Sequence, residues 1–153
     1  MEPIDEAEAL QFLSRSMVAH IGVIMDGEPY VTPMSFAVDG GRILFRTKPG
    51  ARFRAIEADP VVCIEVSEFD ETTGDWTSVI VRGRAAECTD ETTTSRAVEL
   101  LLEKYEKVIG SPLGHGGLQP MATFPHVVEV PIDEISGMTS GRGFAFRTRP
   151  GRL

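Results

Sequence analysis

Residues 42–54 concentrate positive charge on a chain that is acidic as a whole. This run, RILFRTKPGARFR, holds five basic side chains and no acidic one, whereas the full chain of 153 residues has 15 basic and 23 acidic residues and a formal net charge of −8. An isolated cationic segment on an anionic protein favours a specific anion site over a generally basic surface. Because the planar arginine side chain matches the geometry of a phosphate group, the chemistry to expect here is phosphate binding.

The predicted local structure suits that chemistry. A strand ending at Thr47 is followed by a Pro-Gly turn and a helix over 51–58, and the backbone N–H groups at a helix start favour a bound anion. Arg46, Lys48 and Arg52 supply charged donors, and Thr47 supplies a neutral hydroxyl donor. The alternative is a solvated basic strand edge, which protects a sheet against pairing with another chain. Spacing alone leaves both interpretations open.

The other residues that could do chemistry are few and scattered. Cys63 and Cys88 each lie in or beside a strand-like apolar run, and we expect two buried thiols rather than a disulfide. His20 and His126 fall in predicted strands and His115 in a loop, and no histidine has metal-ligand spacing with a cysteine. No side chain stands out as an obligate general acid or base, so we expect a bound cofactor to supply the chemistry.

Composition excludes several function classes. Hydrophobic residues make up 42% of the chain and charged residues 25%, which is ordinary for a soluble globular protein. There is no apolar run of about 18 residues that would predict a membrane span, and the acidic start MEPIDE has no secretory signal core. The acidic balance argues against nucleic-acid binding and against docking to an anionic membrane. We expect a cytoplasmic protein.

Apolar patterns and turn signals predict a mostly β protein. Asp26-Gly27 indicates a tight hairpin, because its turn needs positive φ, and Pro33 should place its strand at a sheet edge or a bulge. We expect one domain over 1–137 and a Gly- and Arg-rich tail over 138–153 with a tendency to disorder. Strands are predicted over 17–25, 30–38, 42–47, 61–67, 76–88 and 127–132, helices over 5–16, 51–58 and 91–108, and a long loop over 111–125.

This order of elements predicts a small antiparallel β-barrel of six strands with flanking helices. A barrel of that size is filled by its own side chains, so a large ligand would have to bind outside it. The segment 61–66, VVCIEV, is apolar on both faces apart from Glu65 and therefore needs a covering surface. We expect a homodimer with the ligand at or beside the interface.

Five segments carry a resemblance to a known family. They are YVTPMSF at 30–36, FRTKPGAR at 45–52, DPVVCIEV at 59–66, WTSVIVRGRA at 76–85 and IDEISG at 132–137. In order and spacing they resemble the pyridoxamine 5′-phosphate oxidase-like flavoproteins, which form FMN-binding split β-barrels. The subgroup that this chain resembles most is that of the 5-nitroimidazole-resistance-type flavoproteins.

The resemblance implies a dimer with two flavins, one at each end of the interface. The flavin phosphate would contact the cationic segment, and residues 33–36 would run beside the isoalloxazine ring with backbone groups bonded to its polar edge. Trp76 and Ser78, in a later strand, would also lie near the site, contributed either by the same subunit or by the second one. The implied cofactor contacts are Pro33, Met34, Ser35, Phe36, Arg46, Thr47, Lys48, Arg52, Trp76 and Ser78.

Structural roles remain open for some of these residues. Trp76 could instead be a packing residue at the end of the barrel, and Met34 and Phe36 could belong to the core. Glu65 could be a partnered interface charge instead of a site residue.

The chain departs from the family pattern at several positions. Arg46 stands where some nitroimidazole-resistance-type relatives have a histidine associated with the active site, so we do not predict nitroimidazole reduction. Arg52 stands where lysine is common, a change that preserves the charge. The arginines of the tail, Arg142, Arg147, Arg149 and Arg152, do not reproduce the substrate motif of the vitamin B6 oxidases, and we do not predict vitamin B6 oxidation.

The resulting expectation is a dimeric FMN-dependent oxidoreductase that acts on a small organic substrate. The first alternative is a reductase that uses the deazaflavin F420, whose acidic tail could be held by residues 111–124 or by the Arg-rich tail. The second is a non-enzymatic protein that stores, carries or senses a flavin or haem. The third is a structural barrel dimer with a vestigial site.

Overall fold

The computed structural model describes residues 1–109 and 124–141. Predictions that concern His115, most of the loop 111–125 and the tail from residue 142 onward lie outside the described residues. In chain order the elements are β1 (Glu2–Ile4), α1 (Glu6–Arg15), β2 (Ala19–Met25), β3 (Glu28–Met34), β4 (Ala37–Asp39), β5 (Arg42–Thr47), α2 (Ala51–Ala58), β6 (Val61–Phe69), β7 (Trp76–Arg84), β8 (Ala86–Cys88), α3 (Glu91–Ile109), β9 (His126–Pro131) and β10 (Glu134–Thr139).

The strands form two antiparallel sheets. One has six strands in the order β1-β10-β7-β6-β2-β3, and the other has four in the order β4-β5-β9-β8. The predicted class, a mostly β protein with an antiparallel split barrel, is confirmed. Pro33 lies in β3, which ends the six-stranded sheet, so its expected edge position is confirmed too.

Two of the predicted strands are wrong as single strands, because each is interrupted where the chain changes sheet. Residues 30–38 divide into β3 of the larger sheet and β4 of the smaller one, and residues 76–88 divide in the same way into β7 and β8. At the C-terminal side, β10 pairs with both β7 and β1. Its last residue is Thr139, so β10 extends two residues beyond the predicted start of the tail.

The barrel interior is filled by side chains from both sheets. Phe36, Phe45, Ile21, Ile64 and Val128 are inaccessible to solvent within one cluster that also includes the apolar face of α1. Helix α3 packs against the smaller sheet through a second group of buried residues, Leu44, Cys88, Ala97 and Val127. A barrel packed in this way leaves the outside surfaces for ligands.

One side of the larger sheet, which we call the outer face, points away from this core. Its apolar side chains include Val31, 61% exposed, and Val61, 50% exposed. Cys63 is also exposed, so its predicted burial is wrong. The reason is the period of two along β6, which turns alternate residues outward. The outer face comprises His20, Gly22, Ile24, Val31, Pro33, Val61, Cys63, Glu65, Ile80 and Arg82.

None of the described helices combines the length and the apolar character that a membrane crossing requires.

Candidate functional site

The junction of β5 and α2 carries the residues predicted to bind phosphate, which we call the cationic cluster: Arg46, Thr47, Lys48 and Arg52. Gly50 is the N-cap of α2, without a side chain to bond the first N–H groups, and the first turn has no acidic residue. The positive end of the helix dipole is therefore not compensated by the helix itself.

Arg52 projects from the first turn of α2 toward β3. Its Nη2 atom donates a hydrogen bond to the Pro33 carbonyl oxygen at 3.1 Å. Its Nε atom is buried and has no hydrogen-bond partner among the described residues. Burial lowers the pKa of this guanidinium, although an arginine remains protonated at all ordinary pH values. A charged side chain with a buried N–H left over is suited to bind an anion.

Arg46 and Lys48 both lie close to the ring of Phe124. The Arg46 Nε atom donates to the Phe124 carbonyl oxygen at 3.2 Å, and burial lowers the pKa of this guanidinium. The guanidinium carbon is 5.9 Å from the centre of the Phe124 ring, and the Lys48 Nζ atom is 5.1 Å from it. Two cations at this spacing help to position the segment that precedes β9.

Thr47 is buried at the end of β5, and its hydroxyl donates to the Lys48 carbonyl oxygen at 3.4 Å. Its partner across the sheet is His126. The imidazole of His126 stacks on Phe53 with the ring centres 3.8 Å apart, and its Nδ1 atom lies 2.7 Å from Glu87 Oε1. The sequence predicted His126 in a strand, as observed, but it gave no signal for this packing beside the cluster.

The segment 33–36 carries the chain from one sheet to the other. Pro33 and Ser35 are exposed, whereas Met34 and Phe36 are buried, so the side chains of the latter two belong to the core, as the alternative interpretation had it. The Phe36 N–H donates to the Tyr105 hydroxyl at 3.0 Å. The surface that this segment can offer a ligand therefore consists of Pro33, Ser35 and backbone groups other than the Phe36 N–H.

The last two predicted contacts lie on β7, in a different part of the same sheet. Ser78 donates to Glu65 Oε1 at 3.0 Å, and the half-buried Trp76 begins the strand, with its N–H donating to Ser140 Oγ at 3.0 Å. Strands β6 and β2 separate β7 from β3, a width of about 14 Å at the usual strand spacing. Within one chain the structure thus does not bring Trp76 and Ser78 together with Pro33.

The outer face carries an open groove. Its volume is about 600 Å³, and it is lined mainly by apolar side chains of β2, β3 and β6, with His20, Cys63, Glu65 and Arg82 as its charged or titratable members. The predicted site residues thus form two groups, the cationic cluster with Pro33 and the pair on β7, and neither group lines this groove.

Comparison with protein families agrees with this architecture. A family model described as pyridoxamine 5′-phosphate oxidase matches residues 5–139. One curated relative, an uncharacterised protein of Rhizobium meliloti, is 30% identical over 70 residues, which are 46% of this chain and 46% of that protein. The match therefore spans about half the length of that relative.

Solved structures show the same fold at low sequence identity. An FAD-binding protein from Mesorhizobium loti has a TM-score of 0.72 and 23% identity, with 92% of this chain and 98% of that chain covered. A putative 5-nitroimidazole antibiotic resistance protein from Bacteroides thetaiotaomicron has a TM-score of 0.71 and 19% identity, with 90% and 86% covered. An FAD-binding protein from Mycobacterium smegmatis has a TM-score of 0.66 and 24% identity, with 90% and 98% covered.

Proposed function

Because the chain belongs to the pyridoxamine 5′-phosphate oxidase family, we propose that it is a homodimeric flavoprotein that binds FMN and transfers electrons or hydride to a small organic substrate. The observation that carries this proposal is Arg52. Its guanidinium has a buried Nε–H without a partner among the described residues, beside an uncapped helix start. It also touches Pro33, where the flavin ring would begin.

The residues present fit a flavin phosphate. Arg52, Lys48 and Arg46 would bind the phosphate oxygens with charged donors, and the first N–H groups of α2 would add backbone donors. Pro33 and Ser35 would lie beside the ring and fix its orientation. When bound, a flavin supplies the redox chemistry itself, and the protein contributes binding, orientation and exclusion of water.

A second copy of the chain is the proposed cover of the outer face. Val31, Val61, Ile24 and Ile80 leave an apolar surface exposed to water, and burying such a surface favours association. The copy would also bring its own Trp76 and Ser78 toward the first chain's Pro33, which the width of the sheet prevents within one chain. Two equivalent sites at one interface are what two-fold symmetry requires.

The names of similar proteins support a flavin over other ligands. The structures from Mesorhizobium loti and Mycobacterium smegmatis are described as FAD-binding proteins. We propose FMN as the flavin because the cationic cluster offers one compact phosphate site. We propose the cytoplasm as the location, because the exposed thiol of Cys63 would remain reduced there.

The spectrum of the purified protein, with mass spectrometry of the released ligand, tests the cofactor. We expect flavin absorbance, FMN as the released mass, and one FMN per chain on titration of the apoprotein. F420 or haem in the released fraction would overturn the FMN assignment, and FAD would show that the site extends beyond one phosphate. An apoprotein that binds none of these would indicate a vestigial site. Turnover of quinones, nitro compounds or azo compounds then separates an enzyme from a flavin store.

A further inference from the structure

A row of outward-facing residues crosses three strands beside Pro33. His20 in β2 is the direct cross-strand partner of Pro33 in β3 and of Glu65 in β6. Directly opposed residues on one face of an antiparallel pair have Cβ atoms about 5 Å apart. The imidazole of His20 therefore stands next to the residue that begins the proposed flavin-ring surface.

Glu65 connects this imidazole to Ser78. One carboxylate oxygen accepts a hydrogen bond from Ser78 Oγ at 3.0 Å, and the other lies 3.5 Å from His20 Nδ1. The Glu65 side chain is 32% exposed, whereas that of His20 is 49% exposed. A carboxylate held by a hydroxyl on one side attracts the Nδ1–H of an imidazole on the other and favours an orientation in which the Nε2 atom points away from the carboxylate.

We infer that His20 donates a proton to the acceptor reduced at this site, with Glu65 as its positioning residue and Ser78 as the group that holds Glu65 in place. The inference rests on the proposed function, because it requires a reduced flavin beside Pro33. It gives Ser78 a role within its own chain, through Glu65, in addition to the approach of the second copy's Ser78 that the proposed dimer provides.

The proton balance of such a step is simple for a quinone acceptor. A quinone that accepts a hydride from a reduced flavin becomes a hydroquinone anion with its negative charge on oxygen. His20, protonated, gives its Nε2 proton to that oxygen and regains one from solvent. The charged and titratable groups that face His20 in the groove are Glu65 and Cys63 of β6 and Arg82 of β7.

The first arm of the test examines the pair without any cofactor. In ¹⁵N-histidine-labelled apoprotein, the signal lost in His20→Gln belongs to His20. We expect it to show the tautomer with hydrogen on Nδ1 in the wild type and in Glu68→Gln, and to lose that preference in Glu65→Gln. Glu68 lies on the same strand and is exposed with a partner of its own, Arg15 at 2.8 Å, so E68Q is the matched control for removal of one charge.

The second arm measures reduction of a water-soluble quinone by the FMN-loaded protein in a single turnover. General acid catalysis typically contributes about a hundredfold or more, so His20→Gln should slow the reduction by about that factor and abolish its solvent deuterium isotope effect. Because a general acid must carry its proton in order to act, the wild-type rate should fall as the pH rises, and the H20Q rate should not.

FMN affinity separates this inference from the proposed function. We expect H20Q and E65Q to bind FMN within about threefold of the wild type, since neither residue is assigned to the phosphate. Normal binding together with an unchanged rate and pH profile in H20Q would overturn the inference and leave the proposed function standing. If the wild type binds no flavin, both fail. Should H20Q not fold, E65Q must slow the reaction more than E68Q for the inference to hold.

Discussion

The guanidinium of Arg52 donates to the carbonyl oxygen of Pro33 at 3.1 Å and so joins the first turn of α2 to the end of β3. The contact connects the two parts of the proposed site, because α2 provides the phosphate donors and β3 leads into the ring surface. Sequence separation between the two residues is 19, and no local pattern predicts the contact.

Replacing Arg52 with alanine should weaken FMN binding by roughly 1.5–3 kcal/mol, the scale of a hydrogen bond to a charged group. Riboflavin lacks the phosphate, and β2 continues to hold Pro33 in its ladder, so riboflavin affinity should barely change. Calorimetric titration of the apoprotein with both ligands measures the difference. Arg54→Ala is the matched control, since Arg54 is exposed on the same helix. Equal losses for FMN and riboflavin in R52A would count against a phosphate site here.

Tyr105 fixes the chain where it passes from one sheet to the other. Its hydroxyl accepts from the Phe36 N–H at 3.0 Å and lies 2.8 Å from the Met17 carbonyl oxygen, and burial raises the pKa of this phenol. Tyr105→Phe leaves the Phe36 N–H buried without an acceptor, which should cost about 1–3 kcal/mol of unfolding free energy.

Urea unfolding measures this loss against Tyr30→Phe. Tyr30 is half-buried, and its hydroxyl makes no hydrogen bond within the described residues, so Y30F should differ from the wild type by less than about 0.5 kcal/mol. Similar stabilities of Y105F and Y30F would mean that the bond to Phe36 contributes little.

The sequence predicted the features that depend on neighbouring residues. Asp26 and Gly27 have φ values of 52° and 81°, which is the tight turn expected from the pair. The edge position of Pro33 follows equally from a local property, the missing N–H. The charge of the cationic cluster is likewise local, because its basic side chains lie within one short stretch of chain.

The features that the sequence did not predict depend on contacts between distant segments. The sequence pattern predicts one strand over 30–38 despite Pro33, and only the sheet topology shows that the chain leaves one sheet after Met34 and enters the other at Ala37. The row of His20, Glu65 and Ser78 comes from three strands, and its register is set by pairing rather than by any motif. The hydrophobic pattern decides which face of a sheet a residue takes, but it does not identify which residues of distant strands stand opposite one another.

Lys104 should make the stability of the protein depend on alkaline pH. Its Nζ atom lies 3.8 Å from the centre of the Phe36 ring and has no hydrogen-bond partner among the described residues. Burial lowers the pKa of Lys104 to about 8 from 10.5. Between these two values the unfolded chain binds more protons than the folded one, so stability should rise as the pH increases from about 8 to 10.5.

Lys104→Met removes this penalty and should stabilise the fold by about 1 kcal/mol at pH 7, a figure reduced for partial exposure of the side chain. The advantage over the wild type should shrink as the pH approaches 10. Lys107→Met, an exposed position on the same helix, should show no such trend. Thermal unfolding of the wild type, K104M and K107M at a series of pH values measures the difference. Parallel pH dependences of stability for K104M and the wild type would contradict the prediction.

Gly83 is required by the close approach of the two sheets. The β6–β7 ladder continues through this residue without a bulge. A Cβ at Gly83 would meet the Pro131 carbonyl oxygen and lie 2.8 Å from Val130 Cγ1. Gly83→Ala should therefore destabilise the protein by about 1–3 kcal/mol through overpacking.

Gly41→Ala provides the control for this substitution. A Cβ at Gly41 has no neighbour within 4 Å, so G41A should unfold in urea at nearly the wild-type midpoint. A wild-type midpoint for G83A as well would mean that the two sheets move apart at little cost in free energy. Their close approach would then not explain why a glycine is needed at this position.

Val31 tests whether a second copy covers the outer face. The side chain is 61% exposed and lines the apolar groove, so a lysine there would place a charge inside the proposed interface and shift the protein to a monomer. Val18→Lys is the control, because Val18 is 55% exposed and is not a groove-lining residue. Light scattering after size-exclusion chromatography measures the mass of each variant.

Thiol labelling gives an independent measure of the same interface. Cys63 lines the groove, whereas Cys88 is buried and its pKa is raised to about 11, so only Cys63 should react in the folded protein. The dimer should protect Cys63 and V31K should expose it, while V18K should label at the slow rate of the wild type. Equal rates in all three proteins, with an unchanged dimer mass for V31K, would place the dimer contact on a different surface. They would also remove the argument that Trp76 and Ser78 approach Pro33 from the second copy.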